Sequence, residues 1–305
     1  MRAPTLLAAL LVLGAGWALT IPLTKIAVST GHQPLGLIFW QTIIGTVLLG
    51  TFLTVRGKLF RPTRAQWQIA LVIALTGTIL PNAFSYRAAM HLPAGVISIL
   101  LSLVPIISVP IALVLATDRI KARRIWGLLL GLAAVAVIVL PGASLPDPAM
   151  IPFIPLALVA PAFYALEGNI VARYGTARMD PVQTLFLASA LGAAISLPLA
   201  LATGQAFLPT TLHAPEQALI LAATIHALVY TGYVWMVGRA GPVFALQVSY
   251  LVTIFGVLWS MALLGESYAP GIWASLALML VGMTLVQPSE RTTATPPLQG
   301  TAPDA

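Results

Sequence analysis

The sequence predicts an all-α integral membrane protein with ten transmembrane helices, arranged as two inverted five-helix repeats. This prediction rests on composition, on the spacing of apolar runs and on an internal repeat. Hydrophobic residues make up 59% of the 305 residues, and charged residues only 8%. Soluble domains contain about 45–50% apolar and about 25% charged residues. A chain with so little polar surface is expected to fold in a lipid bilayer.

Ten apolar runs are long enough to cross a membrane as helices. A spanning helix needs about 20 mostly apolar residues. In lipid, every backbone N–H and C=O group must find a partner within the protein, which favours helices. The predicted helices cover, in chain order, residues 5–27, 35–54, 67–90, 94–116, 124–141, 151–172, 182–203, 217–237, 243–264 and 270–287.

Basic residues are concentrated in alternate connections between these runs. Thirteen of the 15 lysines and arginines lie on one predicted side, namely Arg2, Arg56, Lys58, Arg61, Arg64, Arg119, Lys121, Arg123, Arg124, Arg173, Arg178, Arg239 and Arg291. Short cytoplasmic loops carry an excess of Lys and Arg, so we expect both termini in the cytoplasm. The expected location is the bacterial inner membrane. This distribution accounts for the net charge of +7, and no nucleic-acid partner is expected.

The two remaining basic residues, Lys25 and Arg87, lie within predicted helices, near the ends away from the cytoplasm. Long basic side chains in such positions commonly extend to the membrane interface. Alternatively, they form a cationic entrance for carboxylate substrates. The sequence leaves both interpretations open.

An internal repeat divides the chain into two halves. A shift of about 147 residues aligns them, and the matches keep their order along the chain. The aligned residues are Trp17-Ala18-Leu19 with Tyr164-Ala165-Leu166, Pro34 with Pro181, Phe39 with Phe186, Ile125-Trp126 with Ile272-Trp273, and, one residue further, Leu103-Val104 with Leu251-Val252 and Asp118 with Glu266. The predicted halves are residues 1–141 and 151–287, with a non-cytoplasmic linker at 142–150 and a disordered cytoplasmic tail at 288–305.

The repeat has two consequences. The first apolar run could be a secretory signal peptide, but the repeat includes residues 5–27, which favours a helix of the mature protein. Each half has five helices, an odd number, so the halves must cross the membrane in opposite orientations. Inverted repeats of this kind are typical of transporters, with the substrate site near the bilayer midplane at the repeat interface.

Three short motifs carry a resemblance to a known family. They are Gly16-Trp17-Ala18-Leu19-Thr20 running to Lys25-Ile26-Ala27, Ala94 running to Leu103-Val104-Pro105, and Leu263-Leu264-Gly265-Glu266 with its shortened counterpart Leu115-Ala116-Thr117-Asp118. In these, and over residues 5–287, the sequence resembles the EamA type of the drug/metabolite transporter superfamily, although Thr253 replaces the proline usual in the ninth helix. The resemblance implies ten helices, a central cavity, and movement of metabolites such as amino acids or other small organic solutes.

Glu167 is the acidic residue that lies within the apolar body of a predicted helix. A charged side chain at the centre of a membrane helix costs at least about 2.5–3.5 kcal/mol if it is unpaired in lipid. A cavity carboxylate would bind a cationic group or exchange a proton. The alternatives are a structural ion pair and a carboxylate that reaches interfacial water.

Further polar residues share faces of apolar helices and are candidates for substrate binding. They are Trp17 and Thr20 on the first helix, Tyr164 beside Glu167 on the sixth, Thr78, Asn82 and Tyr86 on the third, His226, Tyr230 and Tyr233 on the eighth, and, more weakly, Gln247 and Tyr250 on the ninth. Residues three or four apart lie on one side of a helix. The alternatives are interfacial anchoring for the aromatic residues and hydrogen bonding between helices for the polar ones.

The sequence offers little for catalysis. No two aspartates lie within predicted helices, and the four histidines lack the spacing of metal ligands, so neither an enzyme nor a cofactor is expected. The predicted function is transport of a small organic metabolite by alternating access; the alternative is a non-transporting receptor or scaffold subunit. The expected partners are a small-molecule substrate and the bilayer, with the protein monomeric or homodimeric.

Overall fold

The computed structural model describes residues 3–115, 121–140, 145–210 and 212–286. These residues form ten long helices, which confirms the predicted fold class. Their bounds are α1 Ala3–Ala27, α2 Pro34–Val55, α3 Arg64–His91, α4 Ala94–Val114, α5 Ala122–Val139, α6 Ile154–Tyr174, α7 Pro181–Ala202, α8 Ala214–Ala240, α9 Val248–Leu264 and α10 Pro270–Val286. Asp118, residues 142–144 of the linker and the tail at 288–305 lie outside the described residues.

The helices have the lengths that a bilayer requires. Eight of those described have at least 18 residues and an apolar composition suited to crossing a membrane. The other two, α9 and α10, have 17 residues each and are therefore about 25 Å long, close to the hydrocarbon thickness of about 30 Å. A short helix at Pro242–Ala245 precedes α9, so the ninth helix begins later than the sequence predicted.

The helix pairs show the inverted two-fold relation between the halves. Helix α1 packs against α8 and α9, and its equivalent α6 packs against α3 and α4. The pairs α2 with α7, α4 with α9 and α5 with α10 join equivalent helices across the two halves. Exchanging the halves therefore maps the contacts of α1 onto those of α6, and maps each pair of equivalent helices onto itself. Since each half has an odd number of helices, the exchange axis lies in the membrane plane.

Two prolines shape the helices of the first half. Proline has no N–H to donate to the carbonyl four residues earlier. Pro81 leaves the Gly77 carbonyl without its α-helical donor, and α3 contains a π-helical turn at Ala74–Ile79 just before it, in which Leu80 N–H donates to Leu75 O. Pro105 has the same effect on α4, which is interrupted after Leu101 and resumes at Val104. Turns of this kind are frequent at functional sites.

The helix ends define two faces of the bundle. One face carries the connections at residues 56–63, 175–180 and 241–247, together with Lys58 and Arg178, and is called here the basic face. The other carries the connections at 28–33, 92–93, 145–153, 203–210 and 265–269, and is called the opposite face.

Gly127→Leu in α5 is expected to lower the free energy of unfolding by about 1–3 kcal/mol, the usual cost of overpacking. A Cβ atom on Gly127 would lie 2.6 Å from Val286 Cγ1 and 2.9 Å from Gly282 O on α10. The measurement is the midpoint of thermal unfolding in detergent. Gly238→Leu is the matched control, because a Cβ at this helical glycine meets nothing within 4 Å. An equal effect of both substitutions would contradict the prediction.

Candidate functional site

A central cavity of about 600 Å³ lies between the two halves. Residues of α1, α2, α3 and α4 line it from the first half, and residues of α6, α7, α8 and α9 line it from the second. Small-molecule sites in proteins typically have volumes of about 300–1,000 Å³. The cavity is therefore large enough to enclose a small organic molecule.

The cavity reaches the basic face and is closed toward the opposite face. Near the basic face its lining includes Thr176 and the exposed Pro181. Toward the opposite face its lining includes Ala27, Leu37 and Ala89, whose exposed fractions are 3%, 1% and 2%. A solute could therefore enter this conformation from the basic face.

Nine of the twelve predicted site residues line this cavity. They are Trp17, Thr20, Thr78, Asn82, Tyr86, Tyr164, Glu167, His226 and Tyr230. Both members of each repeat-related pair, such as Trp17 with Tyr164 and Thr20 with Glu167, contribute to the lining. The repeat alignment therefore selected residues that the fold brings together. Their roles in binding stay predictions.

The structure places the other three predicted residues outside the cavity lining. Tyr233 packs edge-on against Trp17, with ring centroids 5.7 Å apart, behind the lining. Gln247 is exposed and precedes the first turn of α9, and Tyr250 packs against the hydrophobic core. On α9 the cavity is lined by Val252. Tyr250 and Val252 are two positions apart, so their side chains point in directions about 200° apart around the helix axis. The face of α9 that carries Tyr250 therefore points away from the cavity.

Glu167 lies against the π-helical turn of α3. A Cβ atom on Gly77 would be 2.6 Å from each carboxylate oxygen of Glu167, so glycine alone leaves room for this contact. Among the described residues, Glu167 has neither a hydrogen-bond donor nor an ion-pair partner. The phenol groups of Tyr164 and Tyr230 lie within its electrostatic reach. Of the alternatives that the sequence left open, the structure therefore favours a cavity carboxylate over an ion pair.

A hydrogen-bonded chain crosses the cavity wall from α6 through α3 to α2. Tyr164 donates its hydroxyl to Asn82 Oδ1 at 3.0 Å, and Asn82 Nδ2 donates to Gln41 Oε1 at 3.2 Å. The Tyr86 hydroxyl also donates to Gln41 Oε1. Asn82 and Tyr86 thus form hydrogen bonds between helices and also line the cavity. The sequence analysis had treated hydrogen bonding between helices and a place in the cavity as alternatives.

Sequence reasoning missed Gln41, which joins this network. The residue is an isolated amide in an apolar helix, and its repeat equivalent is Ala188, so the repeat alignment carried no signal. Other lining residues that the sequence did not single out are the polar Thr24, Ser85, Thr176 and Thr184 and the glycines Gly77 and Gly168.

An aromatic wall made by α1 and α8 faces the cavity. The ring of Trp17 packs edge-on against His226 and Tyr230, with centroids 5.8 Å and 6.4 Å apart. The rings of His226 and Tyr230 are stacked at 6.4 Å. Such arrangements hold aromatic side chains in fixed orientations. The wall therefore offers both ring faces and ring edges to a bound molecule.

At the opposite face, Lys25 caps the C-terminal end of α3. Its ammonium group donates to Ala89 O at 2.6 Å and to Leu92 O at 3.0 Å. A cation at a helix C-terminus satisfies free carbonyl groups and interacts favourably with the helix dipole. Lys25 therefore joins α1 to α3, while Arg87 is exposed.

Glu266 makes the complementary contact at the start of α4. Its carboxylate accepts hydrogen bonds from Ala94 N at 2.8 Å and Gly95 N at 3.2 Å, and also from the Tyr268 hydroxyl. Burial and the hydrogen bond to Glu266 raise the pKa of Tyr268 well above its usual range, so this phenol stays protonated as a donor. We call Lys25, Glu266 and Tyr268, with the backbone that they bind, the opposite-face seal.

A second contact between the halves lies on the same face. His32 Nε2 is 2.7 Å from Glu216 Oε1, and the His32 ring stacks on Phe207 with centroids 3.9 Å apart. Gln205 Oε1 also accepts a hydrogen bond from Leu35 N at 3.1 Å. The connections at 28–33 and 203–210 are therefore held together, which closes the cavity on this side.

A bundle of two inverted halves around a central cavity is the architecture of secondary transporters. The sequence matches the EamA-like transporter family over residues 5–140 and 152–287. The chain belongs to this family and is a membrane transporter of the drug/metabolite type. The family is one of transporters rather than of enzymes.

Solved structures support the fold. One crystal structure superposes with a TM-score of 0.62 at 20% sequence identity, covering 92% of this chain and 98% of the other. At this level of identity, the likeness shows the fold alone. No curated protein matches the sequence significantly.

Proposed function

We propose that the protein moves a small organic metabolite, such as an amino acid or a similar solute, across the bacterial inner membrane by alternating access. The observation that carries the proposal is a single cavity that both halves line, open toward the basic face and closed at the opposite face. With the basic face in the cytoplasm, the structure corresponds to an inward-open state with both termini on the cytoplasmic side.

Opening to the other side requires that the two halves rock against each other around the cavity. The contacts of Glu266 with the start of α4 and the His32–Glu216 contact, which join the two halves, then separate, and the lining near Thr176 and Pro181 closes. The alternative function, a receptor or scaffold without transport, does not require contacts between the halves that close one end of a solvent-reaching cavity.

Uptake into liposomes tests this proposal. The purified protein, reconstituted with and without an imposed pH gradient, is expected to accelerate entry of at least one solute from a panel of amino acids, amino-acid esters and organic amines. Protein-free liposomes measure leakage. Folded protein that moves no member of the panel in either condition would favour the receptor or scaffold. A response to the pH gradient would indicate proton coupling.

A further inference from the structure

The described cavity lining has an acidic side chain, that of Glu167, but no lysine or arginine. The two basic residues that the sequence offered as a cationic entrance do not line the cavity, because the Lys25 ammonium is bound in the opposite-face seal and Arg87 is exposed. A substrate carboxylate or phosphate would find no permanent counter-charge there, and an uncompensated charge in a low-dielectric site is unfavourable.

Glu167, in contrast, lacks a counter-charge of its own. Its carboxylate is partly buried against Gly77 and has no hydrogen-bond donor among the described residues. Membrane proteins retain such a group where a partner compensates its charge. The described part of the protein supplies no such partner, so a cationic group of the substrate would compensate the charge of this carboxylate.

The surroundings of Glu167 suit the rest of such a substrate. Tyr230 lies within electrostatic reach of the carboxylate and belongs to the aromatic wall with Trp17 and His226. Aromatic ring faces attract organic cations by about 0.5–2 kcal/mol. The other walls include apolar side chains such as Ile73 and Leu185. An apolar or aromatic body can pack here while its charged end meets Glu167.

We propose that the cavity selects organic monocations, in which one ammonium group pairs with Glu167 and an apolar or aromatic body packs against Trp17, His226 and Tyr230. This inference rests on the proposed function and narrows it. Amines and amino-acid esters or amides fit the site, whereas molecules with a free carboxylate fit it less well.

The test is calorimetric binding to the purified protein at pH 8, where an ordinary imidazole with a pKa of about 6.5 is neutral. The probes form two matched sets. Phenethylammonium is compared with phenylalanine, phenylpropionate and phenylethanol, and protonated tryptamine is compared with tryptophan. Each ammonium probe is expected to bind at least about tenfold more tightly than the other probes of its set. This is the effect of a hydrogen bond between its ammonium group and a charged carboxylate.

Glu167→Gln is expected to weaken binding of the ammonium probes by about tenfold or more, and Glu167→Asp by less, because it keeps the charge. Asp147→Asn is the control, since Asp147 is an exposed residue of the opposite face whose backbone contact to Ala149 N an asparagine can also make. Gel filtration verifies that each variant is folded.

Three outcomes overturn the proposal: both ammonium probes fail to bind, a carboxylate probe binds as tightly as its ammonium partner, or Glu167→Gln binds like the wild type. The proposed function can be judged separately. Uptake of amino acids without binding of either amine would refute the selectivity while leaving transport intact. Binding of the amines without uptake of any solute would refute transport alone.

Discussion

Replacing Glu167 by glutamine is expected to slow substrate uptake into proteoliposomes by about tenfold or more. A hydrogen bond to a charged group contributes about 1.5–3 kcal/mol, and the variant loses this contribution. Glutamine keeps the size of the side chain and removes its charge. The carboxylate lines the cavity and has no counter-charge among the described residues, so its charge is available to the solute or to a proton. The initial rate of uptake is the measurement.

The same variant is expected to lose any dependence of uptake on an imposed pH gradient. A glutamine cannot take up or release a proton as the cavity changes sides. Glu167→Asp keeps a titratable carboxylate and is expected to retain the pH response at a reduced rate. Wild-type rates and an unchanged pH response in Glu167→Gln would show that this carboxylate has only a structural role.

Replacing Glu266 by alanine is expected to open the cavity toward the opposite face. The carboxylate accepts hydrogen bonds from Ala94 N, Gly95 N and Tyr268, and each bond to a charged group contributes about 1.5–3 kcal/mol. Losing even part of this stabilisation shifts the balance between the two conformations by about tenfold or more, since 1.4 kcal/mol corresponds to a factor of ten. The population of the state that is open toward the opposite face therefore rises.

Single-cysteine labelling measures this shift. The chain contains no cysteine, so Ala27→Cys introduces a unique thiol at the closed end of the cavity, where Ala27 is 3% exposed. A membrane-impermeant maleimide, added from the non-cytoplasmic side, is expected to label this thiol about tenfold faster when Glu266→Ala is also present.

Asp147→Ala, combined with Ala27→Cys, is the control for this experiment. It removes another carboxylate of the same face that takes no part in the seal. Equal labelling rates with and without Glu266→Ala would show that Glu266 caps α4 without controlling access. Faster labelling in both variants would indicate general loosening of the fold.

Much of the candidate site could be predicted because symmetry restricts it. Trp17 and Thr20 align with Tyr164 and Glu167 in the repeat. Residues near a two-fold axis face their equivalents, so pairs of polar residues that recur in both halves are expected at the same cavity. The structure places all four residues in the lining.

The predicted set and the observed cavity lining differ where a side chain's direction depends on local distortion or on helix rotation. Gln41 has no polar equivalent in the second half, and its place in the site follows from its contacts with Asn82 and Tyr86. Tyr250, a weaker candidate that shares a helix face with Gln247, lies outside the cavity lining. Each residue turns the side-chain direction by about 100°, and no repeat match constrained this position.

The sequence by itself determined the number of helices, their opposite orientation in the two halves and the concentration of basic residues on one face. These features follow from local composition and from the requirement that backbone groups be paired in lipid. Only the tertiary structure decided that Glu167 lies against Gly77, that Lys25 binds the end of α3, and that Glu266 binds the start of α4. These contacts join residues 64 to 172 positions apart, and helix docking sets them through side-chain shapes that no local pattern encodes.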